Sequence, residues 1–208
     1  MELMPGMTLG SMALHALHQC SVEKIVVVVH PCDPLKWLSM ELVESIPGMP
    51  SQDSPSVQIV ISERADDGMA YSLHAGFEAL LGSGIQPNVE HALPDAILVV
   101  LADQPFVDKV HLERLMDRYS KQSNLDYVAS SSWNEENGTY ALMPPAILSK
   151  SMFAAVTKLE GDTGARKLFA DARYRGEAVS AIANEVLLDV DNPIDLELAI
   201  AFNRSVRP

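Results

Sequence analysis

Three short runs set the strongest limit on how this chain can fold. "KIVVVVH" (24–30), "VQIVIS" (57–62) and "AILVVLA" (96–102) are rich in β-branched and apolar residues, as strands covered on both faces tend to be. Between them lie "MTLGSMALHALHQ", "DPLKWLSMELVESI" and "MAYSLHAGFEALL", where apolar residues recur at three and four and predict helices. That alternation predicts an α/β domain with a largely parallel sheet, covered on both faces. After residue 106 the pattern loosens. It predicts a helix near 108–120, an extended piece at "DYVASS", a polar loop at "WNEENGTY", helices at "SKSMFAAVTKL" and "TGARKLFADA", and a strand near "EAVSAI". The last helix is the best marked: Asn192 can cap it, Pro193 suits its first turn, and Asp195 sits near its positive end. No repeat or linker divides the chain, and 208 residues match one domain, 1–208. "PGMPSQDSPS" (47–56) reads as a surface loop.

Composition narrows the function classes. A net charge of −13 disfavours nucleic acid as a partner, and any anionic substrate must be met by local amides, a few cations or a metal. Cys20 and Cys32 have no CxxC spacing, which argues for two packed thiols over a disulfide framework or zinc cluster. No apolar run reaches the roughly 20 residues of a membrane span, and no signal-peptide pattern opens the chain, so the expectation is a cytoplasmic protein without a membrane partner.

Four motifs carry the candidate chemistry. In "DAILVVLADQPF" (95–106), Asp103 emerges from the most apolar strand, where ligands of open α/β sheets collect. It can hold Mg²⁺ against substrate phosphates or cap the turn before Pro105, with Gln104 exposed. In "DDGMAYSLHAGFEAL" (66–80), Gly68 opens a helix with Ser72 in its first turn. That is either an anion site or an ordinary glycine turn. In "LLDVDNPIDL" (187–196), Asp189 and Asp191 flank one residue; if extended they share a side and bring a second carboxylate to the ion, and otherwise they are helix-entry acids. In "LEGDTGARKLF" (159–169), Asp162 can cap a helix, and Arg166 can meet a phosphate or Asp162 itself.

In this order, "DDGMAYSLHAG", "VVLADQP", "LEGDTGAR" and "LDVDNPIDL" resemble the MobA-like nucleotidyltransferases. The likeness runs from about residue 8 to 200 and is greatest to the molybdenum cofactor cytidylyltransferase branch and its relatives linked to xanthine dehydrogenase maturation. "MPPAILSKSMF" (143–153) fits the same pattern. The resemblance implies a Rossmann-like nucleotidyltransferase fold and Mg²⁺ dependence. A terminal phosphate of molybdopterin would attack the α-phosphate of a nucleoside triphosphate, CTP or GTP, and pyrophosphate would leave. It assigns Asp103 to the metal, with Asp191 as the favoured second contact and Asp189 beside it. Gly68, Ser72, Gln104, Pro105, Asp162 and Arg166 fall near the nucleotide, and a molybdoenzyme such as xanthine dehydrogenase is the implied protein partner.

The N-terminus departs from the pattern. Family members open with a strand and a glycine-rich loop of the type LAAGxSxRMGxxK, whereas "MELMPGMTLGSMALHAL" looks like the segment after that loop. "PGMTLG" has no cation to cradle a triphosphate, and His74 stands where an arginine is common. The expectation is a domain short at its N-terminus. "KIVVVVH" and "AILVVLA" would then either pair directly or have their edges covered by another chain. The corresponding alternative for function is a catalytically impaired homologue that binds a nucleotide or pterin, or serves as a molybdoenzyme maturation protein.

Overall fold

The computed structural model describes residues 2–4, 7–38, 55–82, 93–134 and 138–206. In chain order the strands are β1 Glu2–Met4, β2 Met7–Thr8, β3 Lys24–Val29, β4 Ser56–Ile61, β5 Ala96–Val99, β6 Tyr127–Asn134, β7 Thr139–Ser149 and β8 Gly176–Ser180. The helices are α1 Leu9–His18, α2 Met69–Leu81, α3 Lys109–Ser120, α4 Phe153–Val156, α5 Arg166–Phe169 and α6 Pro193–Val206. Much of the expected helix at 33–46, from residue 39 on, and most of the loop at 47–56 lie outside the described residues. Residues 33–38 are not helical. Asp33 Oδ1 accepts the Leu35 amide at 2.7 Å, closing an Asx turn over Pro34 that competes with a helix start.

The sheet is mixed. β3 and β4 run parallel, and a four-stranded sheet has the order β5-β7-β6-β8. There β6 and β8 are parallel, while β7 runs antiparallel to both β5 and β6. The reversal follows from the β6–β7 hairpin, whose short connection permits only antiparallel pairing. Of the expected polar loop at 133–140, Trp133 and Tyr140 stand opposite one another in the hairpin ladder, while residues 135–137 lie outside the described residues. Pro144 and Pro145 cannot donate to the ladder. The ladder accommodates them by a register shift between Ala129 and Ser130, and buried side chains take their carbonyls: Gln104 Nε2 donates to Pro144 at 3.2 Å and Ser130 Oγ to Pro145 at 2.7 Å.

Alternation along the strands builds two cores. Ile97, Tyr127, Ala129, Ala146 and Leu148 face α2, α4 and α5, while Leu98, Val128, Met143, Ile147 and Val179 face α1 and α3. Both faces are covered, giving the three-layer α/β arrangement that the apolar runs predict. Among the described residues β3 is laddered only to β4, and β5 only to β7; the direct β3–β5 pairing offered above does not form. Helices join the two sheets instead. Leu17 of α1 packs against both clusters, and α2 lies so close to β3 that a Cβ on Gly76 would sit 3.1 Å from Val28 Cγ2. Cys20 is buried, but Cys32 is exposed, so the expectation of two packed thiols holds for only one of them. No helix among the described residues is long and apolar enough to cross a membrane.

Candidate functional site

The site forms where the end of β5 meets the segment leading into α6. The Val190 amide donates to the Asp103 carbonyl at 2.9 Å, which ties the two segments together. Gln104 adds a second tie: it is wholly buried, and Nε2 donates to Asp189 Oδ1 at 2.8 Å as well as to Pro144. Gln104 is thus not an exposed residue, and Pro105 beside it is also buried; both shape the site from behind.

Three carboxylates share this region. Asp103 Oδ1 is buried with no hydrogen-bond partner. Burial, then the charges of Asp189 and Asp191, push the Asp103 carboxyl above the usual carboxylate range. Burial also raises Asp189, with Asp191 adding to it, while the Gln104 hydrogen bond and the Arg166 charge oppose the rise. The entry to α6 is fixed by a reciprocal cap: Asn192 Oδ1 accepts the amides of Ile194 and Asp195, and Asp195 Oδ2 accepts those of Asp191 and Asn192. The sequence expectation for this helix start is met by all three of its residues.

A second group sits at the start of α2. Gly68 has φ 127°, and a Cβ there would lie 2.2–2.6 Å from backbone atoms of Gly161 and Asp162. The Gly161 carbonyl accepts the Ala70 amide at 3.0 Å. Gly68 is therefore approached closely by the 161–162 backbone, and Ser72 lies half-buried in the first turn of α2. Asp162 does not cap α5: Ala165 holds that position, without a side-chain cap. Arg166, exposed at the first residue of α5, makes no ion pair with Asp162; its charge acts on Asp189. Arg64 is held by Asp67 at 2.7 Å and lies 3.7 Å over the Tyr71 ring. His74 spends its Nε2 on the Val156 carbonyl at 3.0 Å.

The donor set fits a hard divalent cation. Among the described residues no three acidic, histidine or cysteine side chains converge on one cation position. Mg²⁺ usually takes only one or two carboxylates, with phosphates and waters completing its shell. The unpartnered Asp103 oxygen, beside carboxylates that repel it, is the kind of group a cation satisfies. The sequence reading missed a cavity of about 460 Å³ reaching Asp191, with Trp37 as a wall. Its only sequence signal is an aromatic residue just beyond the end of β3.

No curated protein matches the chain significantly. Solved structures do. The Mycobacterium tuberculosis Rv0371c homologue from Mycobacterium sp. strain JC1 is 18% identical with a TM-score of 0.66, covering 97% of this chain and 86% of that one. The 4-diphosphocytidyl-2C-methyl-D-erythritol synthase from Anaerococcus prevotii is 12% identical with a TM-score of 0.65, over 96% and 87%. Rv0371c from Mycobacterium tuberculosis, in a complex with manganese, is 21% identical with a TM-score of 0.58, over 93% and 87%. These likenesses show a shared fold. The sequence profile of the MobA-like NTP transferase domain matches residues 1–179, and the chain belongs to that family.

Proposed function

We propose that the protein is a Mg²⁺-dependent nucleotidyltransferase of molybdenum cofactor biosynthesis, moving CMP from CTP to the phosphate of molybdopterin. A phosphate oxygen of the acceptor forms the new bond to the α-phosphorus, the bond to the β-phosphate oxygen breaks, and pyrophosphate leaves. The observation that carries the reading is the unpartnered, buried Asp103 Oδ1 at the mouth of the strand, with Asp191 near it. Asp103 and Asp191 would hold the ion, which when bound neutralises charge on the phosphates and aligns the attacking oxygen. Gln104 fixes Asp189 against the site wall. Arg166 offers a guanidinium suited to two phosphate oxygens at once, and Gly68, Ser72 and Asp162 border the nucleotide side. Pyrophosphate release from CTP with molybdopterin and Mg²⁺ tests the assignment, with GTP as the competing donor; turnover unaffected by Asp103→Asn removes Asp103 from the mechanism.

A second reading is favoured by how the basic side chains described around α2 are engaged. Arg64 is engaged by Asp67 and Tyr71, and His74 by a carbonyl, so Arg166 faces the phosphates with little help. On that reading the chain binds nucleotide or pterin without turnover and serves maturation of a molybdoenzyme such as xanthine dehydrogenase. Nucleotide binding without pyrophosphate release would favour it.

A further inference from the structure

Pro144 and Pro145 stand outside both ladders of β7. On one side the pairing with β5 ends at Ala146, opposite Val99. On the other, Ala129 pairs with Ala146 and Ser130 with Met143, so the register steps over the two prolines. Their placement falls to side chains from neighbouring segments: Gln104 Nε2 donates to the Pro144 carbonyl, and Ser130 Oγ to that of Pro145. Ser130 is in turn held by His111 of α3, whose Nε2 lies 2.8 Å from Oγ. Gln104, Ser130 and His111 are each at most 2% exposed.

The proton positions follow from which partners can only accept. A carbonyl has no proton to give, so the Ser130 hydroxyl proton goes to Pro145, and Oγ accepts from His111 Nε2–H. That selects one neutral tautomer and leaves His111 Nδ1 bare, matching its burial without a partner. Burial, then the charge of Arg114, keeps the imidazole pKa below its usual value, with Asp108 opposing. Gln104 is oriented by the same rule. Pro144 takes one Nε2 proton and Asp189 Oδ1, 2.8 Å away, takes the other, which leaves Oε1 buried and unpartnered. Unpaired buried acceptors are uncommon in protein cores, and both of these occur beside donors fixed in one orientation.

We propose that His111 and Ser130 are positioning residues for the carboxylate group at the end of β5. They hold Pro145, the adjoining Pro144 carbonyl sets Gln104, and Gln104 holds Asp189 so that the ion is left to Asp103 and Asp191. The purpose of holding Asp189 rests on the nucleotidyl-transfer reading, whereas the relay that reaches it rests on the hydrogen bonds themselves.

Nuclear magnetic resonance on the full chain tests the relay without metal. His111 should be the Nε2–H tautomer by its nitrogen–proton couplings. In Ser130→Ala and in His111→Phe, the Gln104 side-chain protons should exchange with solvent about tenfold faster relative to the Ile147 and Leu148 amides, whereas lost stability alone would quicken all of them alike. His111→Gln, which keeps an N–H donor, should restore most of the protection; if His111→Phe does not fold, Ser130→Ala carries the readout. Mn²⁺ affinity in the presence of CTP should fall about tenfold in Gln104→Leu and about threefold in Ser130→Ala, and less than additively when the two are combined. An Nδ1–H tautomer, uniform quickening of exchange, or unchanged Mn²⁺ affinity in Ser130→Ala when the parent binds the ion with CTP would overturn the proposal. A parent that takes up no Mn²⁺ with CTP fails the transfer reading, and the exchange ratio then decides the relay by itself.

Discussion

Asp103 is a carboxylate whose ionisation works against the folded chain. Its folded pKa is raised, so between the ordinary carboxylate value and the raised one the folded state holds a proton that the unfolded state has lost. Stability therefore falls as pH rises through that interval and stays lower above it; Asp189, also raised, acts in the same direction. Asp103→Asn should consequently raise the melting temperature of metal-free protein at pH 7 by about 2 °C or more, while lowering pyrophosphate release at least ~100-fold. The gain should vanish below the ordinary carboxylate pKa, and a variant that melts lower than the parent at neutral pH would refute this account of Asp103. Gly68 shows a second single-residue constraint. Gly68→Ala should cost about 2–4 kcal/mol in urea unfolding, combining a positive φ with a backbone clash. Gly82→Ala, at φ 83° with open space around it, should cost only about 1 kcal/mol; equal losses would show that the Gly161 contact is not the cause. The sequence makes Gly68 conspicuous, but nothing local indicates that the backbone pressed against it comes from residues 161–162.

The elements best read from sequence are those whose signals are local. Asn192, Pro193 and Asp195 announce α6, and the apolar runs announce β3, β4 and β5, because strand burial on both faces leaves its mark within each segment. Strand β7 is different: its two prolines interrupt the ladder, and partners distant in sequence, Gln104 and Ser130, take their carbonyls while β5 and β6 pair the rest. Pairing is less legible still, since the antiparallel placement of β7 between β5 and β6 depends on contacts far apart in sequence. The edges of β3 and β5 give this a measurable consequence. Ala146, Ile147 and Leu148 are paired on both sides, so their amides should exchange with solvent only through near-global opening, whereas β3 should exchange through smaller local openings. Protection in β3 equal to that of β7 would mean that a further strand covers the edge left unladdered among the described residues.

At the scale of the whole molecule, the ordered set of four motifs anticipated the family correctly because each marks a chain segment that the fold carries to one end of the sheet. It left the identity of the acceptor to proposal, since all four motifs concern the metal and the nucleotide. The overall charge of −13 repels phosphates, so on the proposed reading a cation bridging the nucleotide to the carboxylates carries much of its retention. Mn²⁺ bound in the presence of CTP, followed by electron paramagnetic resonance, measures that bridge directly. The account predicts that the parent protein sequesters Mn²⁺ in a CTP-dependent manner, that Asp103→Asn binds it at least about tenfold more weakly, and that Arg166→Ala loses the CTP dependence; Mn²⁺ binding identical in the parent and in Asp103→Asn would contradict it.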